Sequence, residues 1–353
     1  MVRNGTLPQR HTQTFLGDIA VQQPRLRDAR PGHEFCSEIL PPCVRRPPSI
    51  ETMLPWPYLK GVSTNDFPDA LQAILGEQAA GLSPSTIARL KRVWEDEYHD
   101  WTHRSLSGKR YMYWWVDGIH FKVRLTDDRP CLLVIMGTLP DGTKELVAIH
   151  DGERESKQSW MELLRELKRR GLSDGPELCT GDGGMGFWSA LDEVFAKVRQ
   201  QRCWVHKTAN VLDKLPKRVQ PYAKKLIQEM YLAETKADAL AAYDEFFKLY
   251  QAKYPQACAC LAADKDALFA FYDFPAEHWV HIRTTNPIES AFATVRHRTR
   301  QTKGSGSRTA GLTMAFKLAR EAEKHWRRLN GSDLLPKVIQ GVRFADGIEI
   351  QVA

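Results

Sequence analysis

An aspartate lies in the middle of one of the most apolar stretches of the chain. Asp117 follows Trp114, Trp115 and Val116, in a segment of aromatic and β-branched residues that is typical of a buried strand. Burying a carboxylate without a partner is costly, so such a residue usually has a charged partner, a metal ion or a position at the edge of the sheet. The fold must therefore give Asp117 one of these surroundings.

The pattern around Asp117 predicts a mixed α/β domain. Seven elements follow one another there: strands over 111–125, 131–139 and 145–150, a helix over 156–170, a strand over 176–180, a helix over 187–198 and a strand over 201–205. Three meander strands followed by parallel ones indicate a mixed sheet with helices on both faces, the arrangement called RNase H-like. In that order the first and fourth strands are neighbours in the sheet.

Turn residues and composition predict six regions along the chain. They are a strand and linker region over 1–57, a helical region over 58–108, the first part of the core over 109–206, a helical insertion over 207–282, the end of the core over 283–330 and a C-terminal tail over 331–353. Two short helices in the second region, near 65–75 and 82–101, allow a helix-turn-helix that reads DNA. A plain helical hairpin is the alternative.

Composition excludes several classes of protein. The 353 residues are 42% hydrophobic and 26% charged, which is the balance of a globular protein and not of a disordered one. No uninterrupted apolar run reaches the ~18–20 residues of a membrane helix, so we expect a cytoplasmic protein without membrane contact. Seven scattered cysteines, an odd number, argue for reduced thiols and against a disulfide framework.

Positive charge is concentrated near the end of the chain. The net charge is +7, and residues 290–330 alone hold ten Lys or Arg residues against two acids. Such a segment predicts binding to a polyanion, most often DNA or RNA, and a solvated helix face is the alternative. The candidate phosphate-binding residues are Arg296, Arg298, Arg300, Lys303 and Arg308.

Three carboxylates are candidates for a metal site. Asp182 follows the fourth strand between glycines, and Glu289 lies at the start of a helix beyond the predicted insertion. If strands one and four are neighbours, Asp117 and Asp182 converge, and Glu289 adds a third oxygen donor. Such a set suits two Mg²⁺ ions, for which Mn²⁺ can substitute, and two ions support in-line phosphodiester displacement. Other acids are interpreted as solvated turn residues: Asp127, Asp128, Asp151 and Glu153.

Two further features allow more than one interpretation. Cys203 and His206 form a Cys-x-x-His pair, which is incomplete as a structural zinc site because no second pair has a suitable spacing. A buried thiol beside a hydrogen-bonded histidine is the simpler interpretation. Trp279, ten residues before Glu289, suits core packing or stacking on an unpaired base.

Four motifs in this order resemble the mutator-type DDE transposases of bacterial insertion sequences. They are Val116-Asp117-Gly118, Gly181-Asp182-Gly183, the run from Gln201 to His206 and the run from Thr285 to Glu289. The resemblance covers most of the chain and implies an RNase H-like catalytic domain with a helical insertion before the glutamate. It implies the catalytic, metal-binding triad Asp117, Asp182 and Glu289. It also implies supporting roles for Cys203, His206, Trp279 and Asn286.

The resulting hypothesis is a transposase that binds the terminal inverted repeats of its own element. It would cleave DNA by metal-assisted hydrolysis and join the freed 3′-hydroxyl to target DNA, as a homodimer or a higher assembly. An RNase H-like nuclease or resolvase is one alternative, and a DNA-binding regulator with a decayed catalytic domain is another. Family members usually carry a longer helical region before the segment that begins here near Arg3, so we expect a shortened N-terminal region.

Overall fold

The chain forms two compact units in a computed structural model. The structure describes residues 2–14, 17–27, 84–121, 123, 130–152, 155–301, 305 and 307–350. One unit, the smaller unit, contains residues 1–96 and 297–303, and the other, the larger unit, contains residues 97–296 and 304–353. Among the described helices, none has both the length and the apolar character needed to span a membrane.

Short antiparallel strand pairs form the beginning of the smaller unit. The strands are β1 (Val2–Thr6), β2 (Arg10–Thr14), β3 (Gly17–Val21) and β4 (Pro24–Arg27). β1 pairs with β4, and β2 pairs with β3. The predicted strand character of this region is therefore confirmed. The Pro-rich linker and the first helix of the predicted helix-turn-helix lie outside the described residues, whereas the second helix is present as α1 (Pro84–His103).

A mixed sheet forms the centre of the larger unit. Its strands are β5 (Tyr113–His120), β6 (Cys131–Thr138), β7 (Lys144–Gly152), β8 (Leu178–Gly181) and β9 (Arg199–Arg202). Their order is β7-β6-β5-β8-β9. β6 is antiparallel to β5 and β7, whereas β8 is parallel to β5 and β9. The predicted mixed sheet is confirmed, including β5 and β8 as neighbours.

The helices α2 (Lys157–Arg169) and α3 (Met185–Val194) supply apolar side chains to the core of this unit. The predicted apolar spacing of α2 is confirmed, because its Trp160, Leu163, Leu164 and Leu167 are all buried. α2 begins after Ser156, whose side chain accepts a hydrogen bond from the Ser159 amide. It is followed by Gly171, whose φ of +99° is a left-handed conformation that favours glycine.

Side chains cover the outer side of β7, one of the two edge strands of the sheet. The Arg104 guanidinium donates to the carbonyls of Leu146 and Val147 at 3.0 and 3.1 Å. The Tyr98 hydroxyl donates to the Ile149 carbonyl at 3.1 Å, and the Leu146 amide donates to Glu323 Oε1 at 2.9 Å. These bonds satisfy backbone groups that a neighbouring strand would otherwise pair.

The strand predicted over 201–205 lies at 199–202 instead, so it begins and ends earlier than expected. β9 ends at Arg202, Cys203 is the N-cap of a helix, and Trp204 begins that helix. The described elements over 204–282 are all helical: α4 (Trp204–Leu212), α5 (Gln220–Leu232), α6 (Lys236–Tyr250), α7 (Pro255–Ala262), α8 (Lys265–Leu268), two 3₁₀ turns (Ala270–Asp273 and Ala276–His278) and α9 (Trp279–Ile282). We call residues 204–282 the helical segment.

A buried glutamine of β9 and a buried tryptophan hold residues 268–271 close to the end of that strand. Gln201 donates to the Leu268 carbonyl at 3.1 Å and accepts from the Phe271 amide at 2.8 Å. The Trp204 indole donates to the same Leu268 carbonyl at 2.8 Å, and its ring packs edge-on against Phe269. Residues 268–271 of the helical segment therefore lie against β9 at a fixed position.

Two buried cations that share one partly exposed carboxylate add to this junction, and we call this group the buried ion pair. Arg202 and Lys207 have side chains that are 5% and 4% exposed, and both contact the Asp264 carboxylate. Lys207 also donates to the Cys260 carbonyl at 2.6 Å. The helix predicted over 258–271 is interrupted at this place, because α7 and α8 are separated by Ala263 and Asp264.

The segments after the helical segment complete the larger unit. They are α10 (Asn286–Ala291), α11 (Ala293–Gln301), which continues into the smaller unit, α12 (Arg308–Glu323), a 3₁₀ turn (Ser332–Leu334), α13 (Leu335–Ile339) and the strand pair β10 (Phe344–Ala345) and β11 (Ile348–Glu349). The predicted tail over 331–353 is therefore folded as far as residue 350. Leu335 and Phe344 are buried, and the Asp346 carboxylate accepts from the Lys236 amide at 2.6 Å.

The buried ion pair generates a stability prediction. We expect Asp264→Asn to lower the free energy of unfolding by about 3 kcal/mol, because it leaves two buried cations without a carboxylate. The matched control is Asp273→Asn, since Asp273 pairs with Arg199 at 2.5 Å with both side chains more than a third exposed. That change should cost less than about 1 kcal/mol. Urea denaturation measures both losses, and equal losses would contradict the role given to Asp264.

Candidate active site

Two of the predicted acids lie at the same level on neighbouring segments of the sheet. Asp117 is in β5, and Asp182 directly follows β8. The parallel pairing aligns Trp115 with Thr180, so residues two positions further along each strand lie at the same level. Asp182 also accepts a hydrogen bond from the Gly184 amide at 2.9 Å, which fixes the turn after the strand. The expected convergence of the two aspartates follows from this register.

The electrostatic environment of Asp117 includes the third acid. The pKa of Asp117 is raised to about 6, first by burial and then by repulsion from Asp182 and Glu289. The positive charges of His206 and Arg296 oppose this rise. Asp117 is therefore at the centre of a group that contains three carboxylates and two basic side chains.

A buried threonine connects Glu289 to the sheet. Thr285, fully buried before α10, donates from its hydroxyl to Glu289 Oε1 at 3.1 Å. Its amide donates to Cys203 Sγ at 3.2 Å, and its hydroxyl lies 3.3 Å from His206 Nδ1. Cys203 is level with Asp182, because the β8–β9 pairing aligns Gly181 with Arg202. Thr285 therefore positions Glu289 relative to the strand ends.

The Cys-x-x-His pair forms one polarised unit within this site. Burial by itself raises the pKa of the Cys203 thiol, but hydrogen bonds from His206 and Thr285 outweigh burial and lower it. The hydrogen bond with Cys203 raises the pKa of His206 to about 9, although burial opposes the shift. His206 Nε2 also lies 3.9 Å from Glu289 Oε1. The histidine therefore carries positive charge close to the carboxylates at neutral pH.

Trp279 is buried in the core, whereas Asn286 is exposed. Trp279 is 8% exposed, packs edge-on against Phe271 and Tyr272, and donates from its indole to the Phe274 carbonyl at 2.8 Å. This environment is that of core packing and not of an open stacking surface. Asn286 is exposed at the first position of α10, three residues before Glu289.

The predicted DNA-binding residues are not all equally placed. Arg296 is exposed and donates to the Glu289 carbonyl, and Arg300 is exposed. Arg308 instead forms an ion pair with Asp151 at 2.6 Å, so part of its charge is used within the fold. The side chain of Arg298 and the whole of Lys303 lie outside the described residues.

The ion pair with Arg308 corrects the interpretation of one rival acid. Asp151 was expected in a solvated turn, but it is half-buried in β7. Asp127, Asp128 and Glu153 lie outside the described residues.

A fourth acid, Glu155, was missed from the sequence. A methyl group on Gly184 would lie 3.5 Å from Glu155 Oε1 and 3.4 Å from Asp182 Oδ1, so the two carboxylates share this space. The pKa of Glu155 is raised to about 7 by burial and by repulsion from Asp182 and Asp117. Its position directly before the N-cap Ser156 was the only sequence signal, since it places the side chain at the start of a helix behind the site.

Glu155 also contributes to a mixed set of donor atoms. One atom each from His120, Cys131 and Glu155 lies within 4.8 Å of the others, and this is the one such group in the described part of the chain. Asp117, Asp182 and Glu289 are not gathered within that limit. Burial raises the pKa of the Cys131 thiol to about 12, and nearby carboxylates add to the shift.

The chemistry of the acidic group fits divalent cations. Asp117, Asp182 and Glu289 are oxygen donors, which Mg²⁺ and Mn²⁺ prefer. Their mutual repulsion, evident in the raised pKa of Asp117, is relieved by bound positive charge.

Comparison with solved structures gives only distant similarities. The catalytic core domain of HTLV-2 integrase in complex with magnesium is 14% identical, with a TM-score of 0.21 over 36% of this chain and 91% of that chain. A simian T-cell lymphotropic virus intasome in complex with a PP2A regulatory subunit is also 14% identical, with a TM-score of 0.19 over 47% of this chain and 63% of that chain.

Sequence comparison gives much closer relatives. The transposase for insertion sequence element IS6120 of Mycolicibacterium smegmatis is 53% identical over 84% of this chain and 92% of the relative. The transposase for IST2 of Acidithiobacillus ferrooxidans is 50% identical over 79% of this chain and 95% of the relative. The transposase for IS256 in transposon Tn4001 of Staphylococcus aureus is 28% identical over 84% and 74%. The family described as "Transposase, Mutator family" matches residues 1–329, and the chain therefore belongs to this family of insertion-sequence transposases.

Proposed function

We propose that this chain cleaves DNA at the ends of its own insertion sequence and joins the freed 3′-hydroxyl to a target phosphodiester. The observation that carries the proposal is that Asp117 in β5 and Asp182 directly after β8 lie at the same level, within electrostatic range of Glu289. We also propose that the sheet is an RNase H-like catalytic core and that the helical segment is an insertion within it. The terminal inverted repeats of the element are the proposed DNA substrate.

Two Mg²⁺ ions, or Mn²⁺ in their place, are the proposed cofactors, with Asp117, Asp182 and Glu289 as their protein ligands. When bound, such ions activate a water or a 3′-hydroxyl and stabilise the leaving oxygen of a phosphodiester. Asp117 has the central place, because both other acids act on its pKa. Glu155 would add negative charge behind Asp182.

The other residues of the site would orient the acids and the DNA. Thr285 holds Glu289 through its hydroxyl, and His206 would contribute positive charge next to the scissile phosphate. Arg296 would neutralise phosphates next to α10 without reading sequence. Two ends of one element must meet for joining, so a dimer or a higher assembly on DNA is expected. We expect this assembly to act in the bacterial cytoplasm, on the nucleoid.

The central test is Asp182→Asn, because the amide keeps the shape of the side chain and removes its charge. We expect it to lower cleavage by more than about 100-fold, beyond the loss typical of an outer-shell partner, while DNA binding remains. The measurement is a Mg²⁺ or Mn²⁺ titration of cleavage on the DNA ends that flank this reading frame. Asp192→Asn, an exposed aspartate on α3, is the matched control and should cleave like the wild type.

Supplied 3′-hydroxyl ends separate the alternatives. Joining of these ends to a plasmid supports a transposase, whereas cleavage without joining would indicate a nuclease or resolvase. Tight DNA binding with no cleavage at any metal concentration would indicate a regulator with a decayed catalytic domain. Substantial cleavage by Asp182→Asn would overturn the assignment of the site.

The hydroxyl of Thr285 gives a second prediction. Thr285→Val keeps the buried shape but removes the donor to Glu289, so we expect about 10- to 100-fold weaker metal-dependent cleavage. Thr285→Ser retains the hydroxyl and should recover most of the activity. A purely structural role would instead make both variants lose thermal stability in parallel with activity.

The charge of Glu155 gives a third prediction. If Glu155 acts through the bound ions, Glu155→Gln should raise the metal concentration needed for half-maximal cleavage and change the rate at saturating metal much less. Glu166→Gln, on the same side of the sheet in α2, is the control for loss of a carboxylate. An unchanged metal requirement in Glu155→Gln would exclude Glu155 from the site.

A further inference from the structure

We infer that the helical segment carries a second surface for duplex DNA, separate from the basic residues after Glu289. This inference rests on the proposed function. The surface, which we call the α4–α5 surface, covers the turn between α4 and α5 and the first turns of α5. It is formed by Lys214, Lys217, Arg218, Tyr222, Lys224 and Lys225.

The positive charge of the α4–α5 surface is available to a partner. Its five basic side chains are exposed, and no carboxylate in the described part of the chain forms an ion pair with any of them. Elsewhere in the larger unit, basic side chains such as Lys157 and Lys236 form ion pairs with acids. A polyanion therefore meets five cations here with no internal pair to break.

The backbone beneath these charges is well fixed. Gln220 donates from its side-chain amide to the carbonyls of Leu212 and Leu215, each at 2.9 Å. Leu215 and Ala223 are buried, as are the later α5 residues Leu226 and Ile227. The apolar side of the turn is thus anchored, and its charged side faces solvent. Binding at this surface therefore does not require the backbone to become ordered.

The position of the surface suits DNA that lies across the acids. α4 begins next to Cys203 and contains His206 near its start. Eight residues separate His206 from Lys214, which is about 12 Å at the rise of an α-helix. Duplex DNA carries one charge per ~1.7 Å of its axis, so about seven phosphate charges span this distance. This distance is shorter than one turn of a DNA duplex, about 34 Å, so a single duplex is long enough to contact both places.

The chemistry favours duplex DNA as the occupant. Lysine side chains act as point charges for phosphates, and the exposed ring and hydroxyl of Tyr222 suit contacts with the sugar–phosphate backbone. The neighbouring helix α6 has the opposite character, since Asp238, Asp244 and Glu245 outnumber its two lysines. Contacts with the sugar–phosphate backbone do not read sequence, so the surface would bind flanking or target DNA as readily as the terminal repeats.

Two double variants test the inference with a random-sequence duplex as the probe. Lys217→Gln with Arg218→Gln, and Lys224→Gln with Lys225→Gln, should each reduce the slope of log affinity against log salt by about 2, because each phosphate that is no longer neutralised lowers it by about 0.9. The matched control is Lys168→Gln with Lys197→Gln. These exposed lysines line a groove at the end of the sheet where β8 and β9 begin. The control should keep the wild-type slope.

The readouts separate failure of this inference from failure of the proposed function. If both α4–α5 double variants keep the wild-type slope, and the wild-type protein binds and cleaves DNA, the surface alone is overturned. Reduced slopes with no metal-dependent cleavage by the wild type would support the surface and overturn the proposed activity. A slope reduced for single-stranded RNA and unchanged for duplex DNA would overturn DNA as the occupant. Thermal melting of each variant shows that the fold is retained.

Discussion

The geometry of the site depends on one buried contact, between Cys203 and Thr285. These residues are 82 positions apart, and they meet where the sheet ends and α10 begins. Thr285 also donates to Glu289, so this contact links the glutamate to the residue that follows β9. The contact between Cys203 and Thr285 is stable because Gln201 and Trp204, on either side of β9's end, both donate buried hydrogen bonds to the Leu268 carbonyl. The motif from Gln201 to His206 therefore serves both the fold and the site.

The acidic group is unfavourable for the folded chain by itself. Burial and repulsion raise the pKa values of Asp117 and Glu155, which means that the fold holds carboxylates where they are poorly solvated. Such strain is common where a site is built for a charged ligand. The cost is offset by the well-packed sheet below, in which every residue of β6 is buried.

Sequence reasoning identified those parts of the structure that have a local pattern. The apolar run around Asp117, the glycines beside Asp182 and the spacing in α2 each indicate an element from adjacent residues. Glu155 has no such pattern, and the Thr285–Glu289 motif does not show what the Thr285 side chain contacts, because both residues act on neighbours far away in the sequence. The pairing of Arg308 with Asp151 was missed for the same reason: a count of basic residues cannot show which charges are neutralised inside the fold. The end of β9 was misplaced because Trp204 and Val205 suit a strand as well as a helix.

The covered edge of the sheet has a consequence for molecules that gather on DNA. An unpaired strand edge is a template on which a second chain can add a strand, and high local concentration promotes this addition. Side chains of Arg104, Tyr98 and Glu323 already occupy the backbone groups of β7. Under the proposed function copies of the chain gather on DNA, and the covered backbone of β7 would discourage them from joining their sheets along this strand.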